Sequence, residues 1–174
     1  MQRWKAILKE WVPPLAIAVI LSLIIQTYVA QAVKVPSGSM EPNIMINDRL
    51  VMEKLIKFTD FDHGDIVVFN HAAENKDQVR YVKRLIGLPG DTIEVREGSL
   101  FRNGEKVDEP YLKNKMNYTF AKVTVPDNHY FFLGDNRNNS YDGHSWPNRF
   151  VDKSELVGKI MFRFYPLSHA GPLQ

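Results

Sequence analysis

A chain of 174 residues, 44% hydrophobic and 24% charged, has material for one packed domain and a small appendage. Its formal net charge of +2 and the lack of any dense basic run exclude a nucleic-acid footprint. Cysteine is absent, which excludes disulfides, thiolate catalysis and Cys-ligated metal.

Taken in chain order, the first distinctive stretch is residues 12–33, a run of 22 positions without a charge. As a helix it would span about 33 Å, enough for a bilayer core. Pro13 and Pro14 are expected at its start, where missing amide donors cost least. The leading tail carries Arg3, Lys5 and Lys9 against Glu10, so the positive-inside rule keeps it in the cytoplasm. The expected layout is a cytoplasmic tail over 1–11, a transmembrane helix over 12–33 and an extracytoplasmic domain over 34–174. A rival pattern is a cleavable secretory signal, since the dense apolar part 15–25 is followed by Ala30-Gln31-Ala32. A retained anchor is preferred, with the lipid bilayer as a partner, and either outcome places 34–174 outside the cytoplasm.

The remainder reads as mainly β. Short β-prone runs recur between turn signals at 49–56, 66–69, 79–86, 92–95, 99–102, 122–125, 130–133 and 160–165. Glu97-Gly98 and Asn103-Gly104 are hairpin signals, so 92–107 is expected to form a small meander. Residues 153–157 could make one helical turn, and 113–117 and 143–149 read as polar loops. An all-β domain hung on one helix is the expected architecture.

Ser39 lies in Pro36-Ser37-Gly38-Ser39-Met40-Glu41-Pro42, just beyond the apolar run. Gly38 and the two prolines suit a stiff turn that presents one hydroxyl and its amide, although such a composition also describes an ordinary turn. A serine needs a base to become nucleophilic. Alternation along 79–86 puts Val79, Tyr81, Lys83 and Leu85 on one face, with Arg80 and Arg84 projecting the other way. Lys83 is then the one charge on an apolar face, where burial would lower its pKa and allow it to take a proton. The same pattern also fits a lysine that snorkels at a strand edge.

The segment Gly134-Asp135-Asn136-Arg137-Asn138-Asn139-Ser140-Tyr141-Asp142-Gly143 is dense in small polar residues that rigidify a loop. Counted from Asp135, it lacks the oxygen ligand, glycine and glutamate of an EF-hand. The five histidines show no metal-ligand spacing. A Ser39–His144–Asp142 grouping is conceivable, but residues two apart in a locally extended chain point to one side together, which makes an Asp142–His144 contact awkward.

These segments, in this order, resemble bacterial type I signal peptidases: an N-terminal anchor, PSGSMEP at 36–42, RLVMEKL at 49–55, GDIVVF at 64–69, YVKRLIGLPGD at 81–91 and GDNRNNS at 134–140. The strand lysine points to the bacterial branch, and the single anchor and short length look like Gram-positive members. The resemblance implies a signal-peptidase-like antiparallel β-sheet domain behind one transmembrane helix. It implies a serine endopeptidase that removes signal peptides from exported preproteins after A-x-A, without metal or organic cofactor. Ser39 would be the nucleophile and Lys83 the general base. The Ser39 amide and Ser37 hydroxyl would form the oxyanion hole. Ser140 would hold Lys83, while Asp135, Arg137 and Asp142 would brace the loop. Val35, Pro36, Met40, Ile44, Tyr81 and Val82 match positions lining the substrate pockets, with the substrate extended beside a strand edge. The family loop usually continues Asp-Ser-Arg, whereas here it reads Asp142-Gly143-His144, so His144 or Arg149 would have to replace the missing arginine. A catalytically impaired homologue that only binds signal peptides is the alternative. Trp146 and Phe150 are candidates for an apolar apron dipping into lipid. Nothing in the sequence sets an oligomeric state.

Overall fold

The computed structural model describes residues 2–55, 60–72 and 78–173, and the side chains of these from residue 9 onward. Helix α1 covers Gln2–Ile24 and widens into a π-helical turn over Ile25–Val29. Its apolar span, Lys9–Val29, has a mean hydropathy of 2.0, and none of it is buried against the rest of the chain. A helix that is apolar all round and lacks protein cover is suited to lipid.

Two expectations about this segment are corrected. The helix begins well before the apolar run, so Pro13 and Pro14 lie inside it and cost it two backbone hydrogen bonds. The run also stops being helical before its end. Ala30–Lys34 is strand β1, in antiparallel register with β2 (Arg49–Glu53), from Ala30 opposite Glu53 to Lys34 opposite Arg49. Lys54, just past β2, donates its amide to the Val29 carbonyl at 2.9 Å and its Nζ to the Thr27 carbonyl at 2.6 Å. Lys54 thus satisfies carbonyls at the helix end, one through its amide and one through its ammonium.

The β-rich expectation holds. Strands β3 (Ile66–His71), β4 (Val79–Gly87), β9 (His129–Leu133), β10 (Val151–Asp152), β11 (Leu156–Tyr165) and β12 (Gly171–Pro172) join β1 and β2 in one eight-stranded sheet. Its order is β1-β2-β11-β3-β4-β9-β10, with β12 on β11, and the neighbours pair antiparallel. A second sheet, ordered β7-β6-β5-β8, contains β5 (Thr92–Arg96), β6 (Ser99–Arg102), β7 (Glu105–Lys106) and β8 (Phe120–Thr124). The expected meander over 92–107 is β5-β6-β7. Its two turns place Glu97 and Gly98 at φ 53° and 71°, and Asn103 and Gly104 at 55° and 85°. Left-handed pairs of this kind match the twist of a tight hairpin. The helical turn expected near 153–157 is a 3₁₀ turn over Lys153–Glu155, closed by a capping box between Asp152 and Glu155. Ile56, at the end of one expected strand, lies outside the described residues.

Three apolar clusters fill the interior. Val67, Phe69, Leu85, Phe132 and Trp146 lie in one, and Ile93, Leu100 and Phe131 in another between the sheets. Val35, Met40, Ile44, Leu50, Met52 and Val68 form the third. Since β3 sends Val67 and Phe69 to one cluster and Val68 to another, both of its faces are covered.

Candidate active site

The Ser39 loop follows directly from β1 and is held from two sides. Val35, Met40 and Ile44 are buried beneath it in the third cluster. Val35 donates its amide to the Asp48 carbonyl at 3.0 Å and accepts from the Asn47 amide at 2.9 Å. From above, Asn136 donates its amide to the Ser39 carbonyl and its Nδ2 to the Gly38 carbonyl, each at 3.1 Å. The Ser39 side chain remains partly exposed, and its Oγ lies 3.4 Å from Ser37 Oγ.

Lys83 does not snorkel. It is 2% exposed, and its Nζ donates to Ser140 Oγ at 3.0 Å. Burial disfavours its ammonium form and lowers its pKa to about 8, against the opposing pull of the Asp142 and then the Asp135 carboxylates. Ser140 and the Ser39 loop meet at Gly134, where any side chain would strike both Ser140 Oγ and the Ser39 carbonyl oxygen. Only glycine lets the three segments approach this closely.

The polar loop is built around buried charges. Asp135 accepts from Arg84 Nε at 2.8 Å and Nη2 at 2.7 Å, and from Asn43 Nδ2 at 2.8 Å. Arg137 donates to the Gly134 carbonyl at 3.0 Å and to both Glu109 oxygens at 2.8 and 2.6 Å. Asp142 accepts from the Gly134 amide at 2.8 Å. Its other oxygen accepts from His144 Nδ1 at 2.6 Å. That contact overturns the expected awkwardness, because 142–145 is a turn rather than extended chain, and the ring folds back onto the carboxylate. Arg149 does not take that place; its guanidinium stands over the Phe120 ring at 5.4 Å.

The residues expected to line the substrate pockets divide between two sides. Val35, Met40, Ile44 and Val82 share the third cluster, and exposed Pro36 sits on the loop above it. Tyr81 lies on the opposite face of β4, against Phe69 at 5.9 Å and Trp146 at 5.0 Å between ring centroids. The lipid-apron expectation is corrected. Trp146 is buried at 2% exposure in the first cluster, and Phe150 packs half-buried against the second. The loop of 143–149 folds inward over the sheet, whereas Ile46, Tyr165 and Leu167 carry exposed apolar surface elsewhere.

Several site residues escaped the sequence reading. Arg84 was expected to project away from Lys83 and does so, yet it is 1% exposed, covered by the Tyr111 ring at 3.9 Å. Glu109, Tyr111 and Tyr118 come from the connection between β7 and β8, which packs across the loop. The one sequence signal for Arg84 was a charge inside an apolar β-run; nothing local marked Glu109 or Asn43. Among the described residues, no group of three or more His, Cys, Asp or Glu side chains is placed to hold a metal ion.

Residues 8–165 match the family model described as signal peptidase, peptidase S26. The chain is 45% identical over 161 residues to "Probable signal peptidase I-2" of Synechocystis sp., covering 90% of this chain and 72% of that protein. It is 42% identical over 171 residues to "Signal peptidase I S" of Bacillus subtilis (strain 168), covering 91% and 90%. It is 38% identical over 172 residues to "Signal peptidase I" of Leptolyngbya laminosa, covering 95% and 84%. With a match this long on a β-domain behind an apolar N-terminal helix, the chain belongs to the signal peptidase family, peptidase S26, and is a peptidase that removes signal peptides.

Proposed function

We propose that the chain is a membrane-bound serine endopeptidase that cuts preproteins after an A-x-A motif, with Ser39 as nucleophile and Lys83 as general base. The observation that carries this is a buried lysine with its pKa lowered to about 8, hydrogen-bonded to Ser140 beside the Ser39 loop. Neutral Lys83 takes the Ser39 proton as Oγ attacks the carbonyl carbon of the scissile peptide bond. The oxyanion of the tetrahedral intermediate accepts from the Ser39 amide and the Ser37 hydroxyl, where losing one donor typically raises the barrier by ~3–4 kcal/mol. Lys83 then passes its proton to the leaving amine, the C–N bond breaks and an acyl ester remains on Ser39. A water molecule, deprotonated by Lys83, attacks the ester; the acyl C–O bond breaks, Lys83 returns the proton to Ser39 Oγ, and the signal peptide leaves as its carboxylate.

Ser140 holds Lys83, while Asp135, Arg137 and Asp142 hold the loop that carries Ser140. Val35, Met40, Ile44 and Val82 form an apolar floor suited to small side chains, with Pro36 at its border, while Tyr81 backs it from the far face of β4. The substrate lies extended along β4, whose ladder with β9 covers only Arg84 to Gly87. The N-terminal tail stays in the cytoplasm, α1 crosses the lipid bilayer, and the domain from residue 34 works outside.

The test is cleavage of an Ala-x-Ala preprotein in liposomes by the wild type, Ser39→Ala and Lys83→Ala. Wild-type cleavage lost in both variants supports the dyad. A wild type that binds the signal peptide and leaves it whole makes the chain an impaired homologue instead.

A further inference from the structure

The polar loop ends in the turn Asp142-Gly143-His144-Ser145, where a titratable ring replaces the arginine of the resembling family. Asp142 has no exposed surface. Its Oδ2 takes the Gly134 amide at 2.8 Å; its Oδ1 takes the His144 ring at 2.6 Å and the His144 amide at 3.2 Å. Because the acceptor is a carboxylate, His144 Nδ1 is the donor in this contact. The ring lies flat on Tyr118, 4.1 Å between centroids at 13°, which fixes its plane. With 19% of the side chain exposed, solvent protons can reach it.

Asp142 touches the dyad in two ways. Its hydrogen bond to Gly134 holds the point where Ser140 and the Ser39 carbonyl meet. Its charge is also the largest one favouring the Lys83 ammonium, against the burial that disfavours it. The other charged or titratable groups facing this turn are Lys83 and Asp135 on the dyad side, and Tyr118 with Arg137 and Glu109 behind it. Arg149 presents its backbone carbonyl to Gly143 and its guanidinium to Phe120.

We propose that His144 is a positioning residue for the dyad: its hydrogen bond to Asp142 fixes the turn behind Gly134 and Ser140, and the charge carried at position 144 decides how much negative charge Asp142 presents to Lys83. The inference rests on the Ser39–Lys83 assignment above. A positive charge at 144 offsets Asp142 and eases the loss of the Lys83 proton. A neutral side chain leaves Asp142 free to hold the ammonium.

The experiment follows the ¹³Cε resonance of Lys83 with pH in the full chain, labelled with [ε-¹³C]lysine in detergent micelles. Wild type, His144→Arg and His144→Asn are compared, with thermal melts to establish that each variant folds and His144→Gln in reserve for one that does not. A fixed positive charge in the arginine variant is expected to lower the Lys83 midpoint by about one pH unit relative to the asparagine variant. The acid limb of kcat for an Ala-x-Ala preprotein should move by the same amount, with KM unchanged. Coincident Lys83 midpoints in the two variants overturn the proposal, whatever their activity. The midpoints are read without turnover, so a chain that cuts nothing yet shows the shift refutes the peptidase mechanism and upholds the coupling.

Discussion

Arg84 and Asp135 form a two-pronged ion pair, at 2.8 and 2.7 Å, with the Arg84 side chain 2% exposed and that of Asp135 wholly buried. It ties β4, one residue after Lys83, to the loop that carries Ser140. One buried contact thus links the segment of the lysine directly to that of its hydrogen-bond partner.

Removing the carboxylate takes from buried Arg84 the acceptor of its Nε and Nη2, and breaking a buried ion pair from one side typically costs ~3–5 kcal/mol. Asp135→Asn is expected to lower the midpoint of denaturant unfolding with the slope unchanged, and to reduce activity in parallel. An unaltered midpoint would mean that solvent reaches Arg84 once the carboxylate is gone.

Ser140→Ala removes the acceptor 3.0 Å from Lys83 Nζ without opening a large cavity. A fall in kcat of roughly 100-fold with little change in KM is expected, since the loss bears on proton transfer rather than binding. Steady-state kinetics decide this; a rise in KM alone would assign Ser140 to the substrate bed.

Gly134→Ala places a methyl group against Ser140 Oγ and the Ser39 carbonyl oxygen, one of them backbone. Neither segment can yield without moving the dyad. The variant is expected to fold with a lower melting temperature and to cut preprotein at least 100-fold more slowly, by the steep dependence of rate on alignment. Wild-type rates in a folded variant would show that the loop repacks.

The lowered pKa of Lys83 has consequences for both rate and stability. As the base it must be neutral, so kcat should rise with pH through about 8. For stability the sign is reversed from that of an ion-paired lysine. The folded state holds the proton less tightly than the unfolded chain, whose lysine titrates at 10.5. Folding therefore carries its full penalty below about pH 8, and the penalty fades as pH rises to 10.5. Lys83→Met should be inactive and more stable than wild type at pH 7, by about 3 kcal/mol at most. Melting curves at pH 7 and pH 10.5 test this, and a gain that fails to shrink at the higher pH would contradict it.

What the sequence determined by itself was whatever depends on short-range order. Short β-prone runs between turn signals marked β2 through β6, β8, β9 and β11, and paired turn residues placed both hairpins of the meander. Chain-order motifs singled out Ser39 and Lys83 as chemistry-bearing positions before any coordinates. Tertiary structure decided what depends on burial from elsewhere in the chain. Alternation set Arg84 opposite Lys83 correctly, yet the Tyr111 connection makes that side an interior, and Asp135 makes a charge tolerable there. Trp146 looked like a surface aromatic in a polar loop until the loop was seen folding inward over β4. The last residues of the apolar run read as helix because hydropathy has no direction; β1 exists because β2 offers it a ladder. His144 reaches Asp142 because a turn reverses the chain between them, and a turn's geometry is settled by what it packs against, here Tyr118 and Gly134.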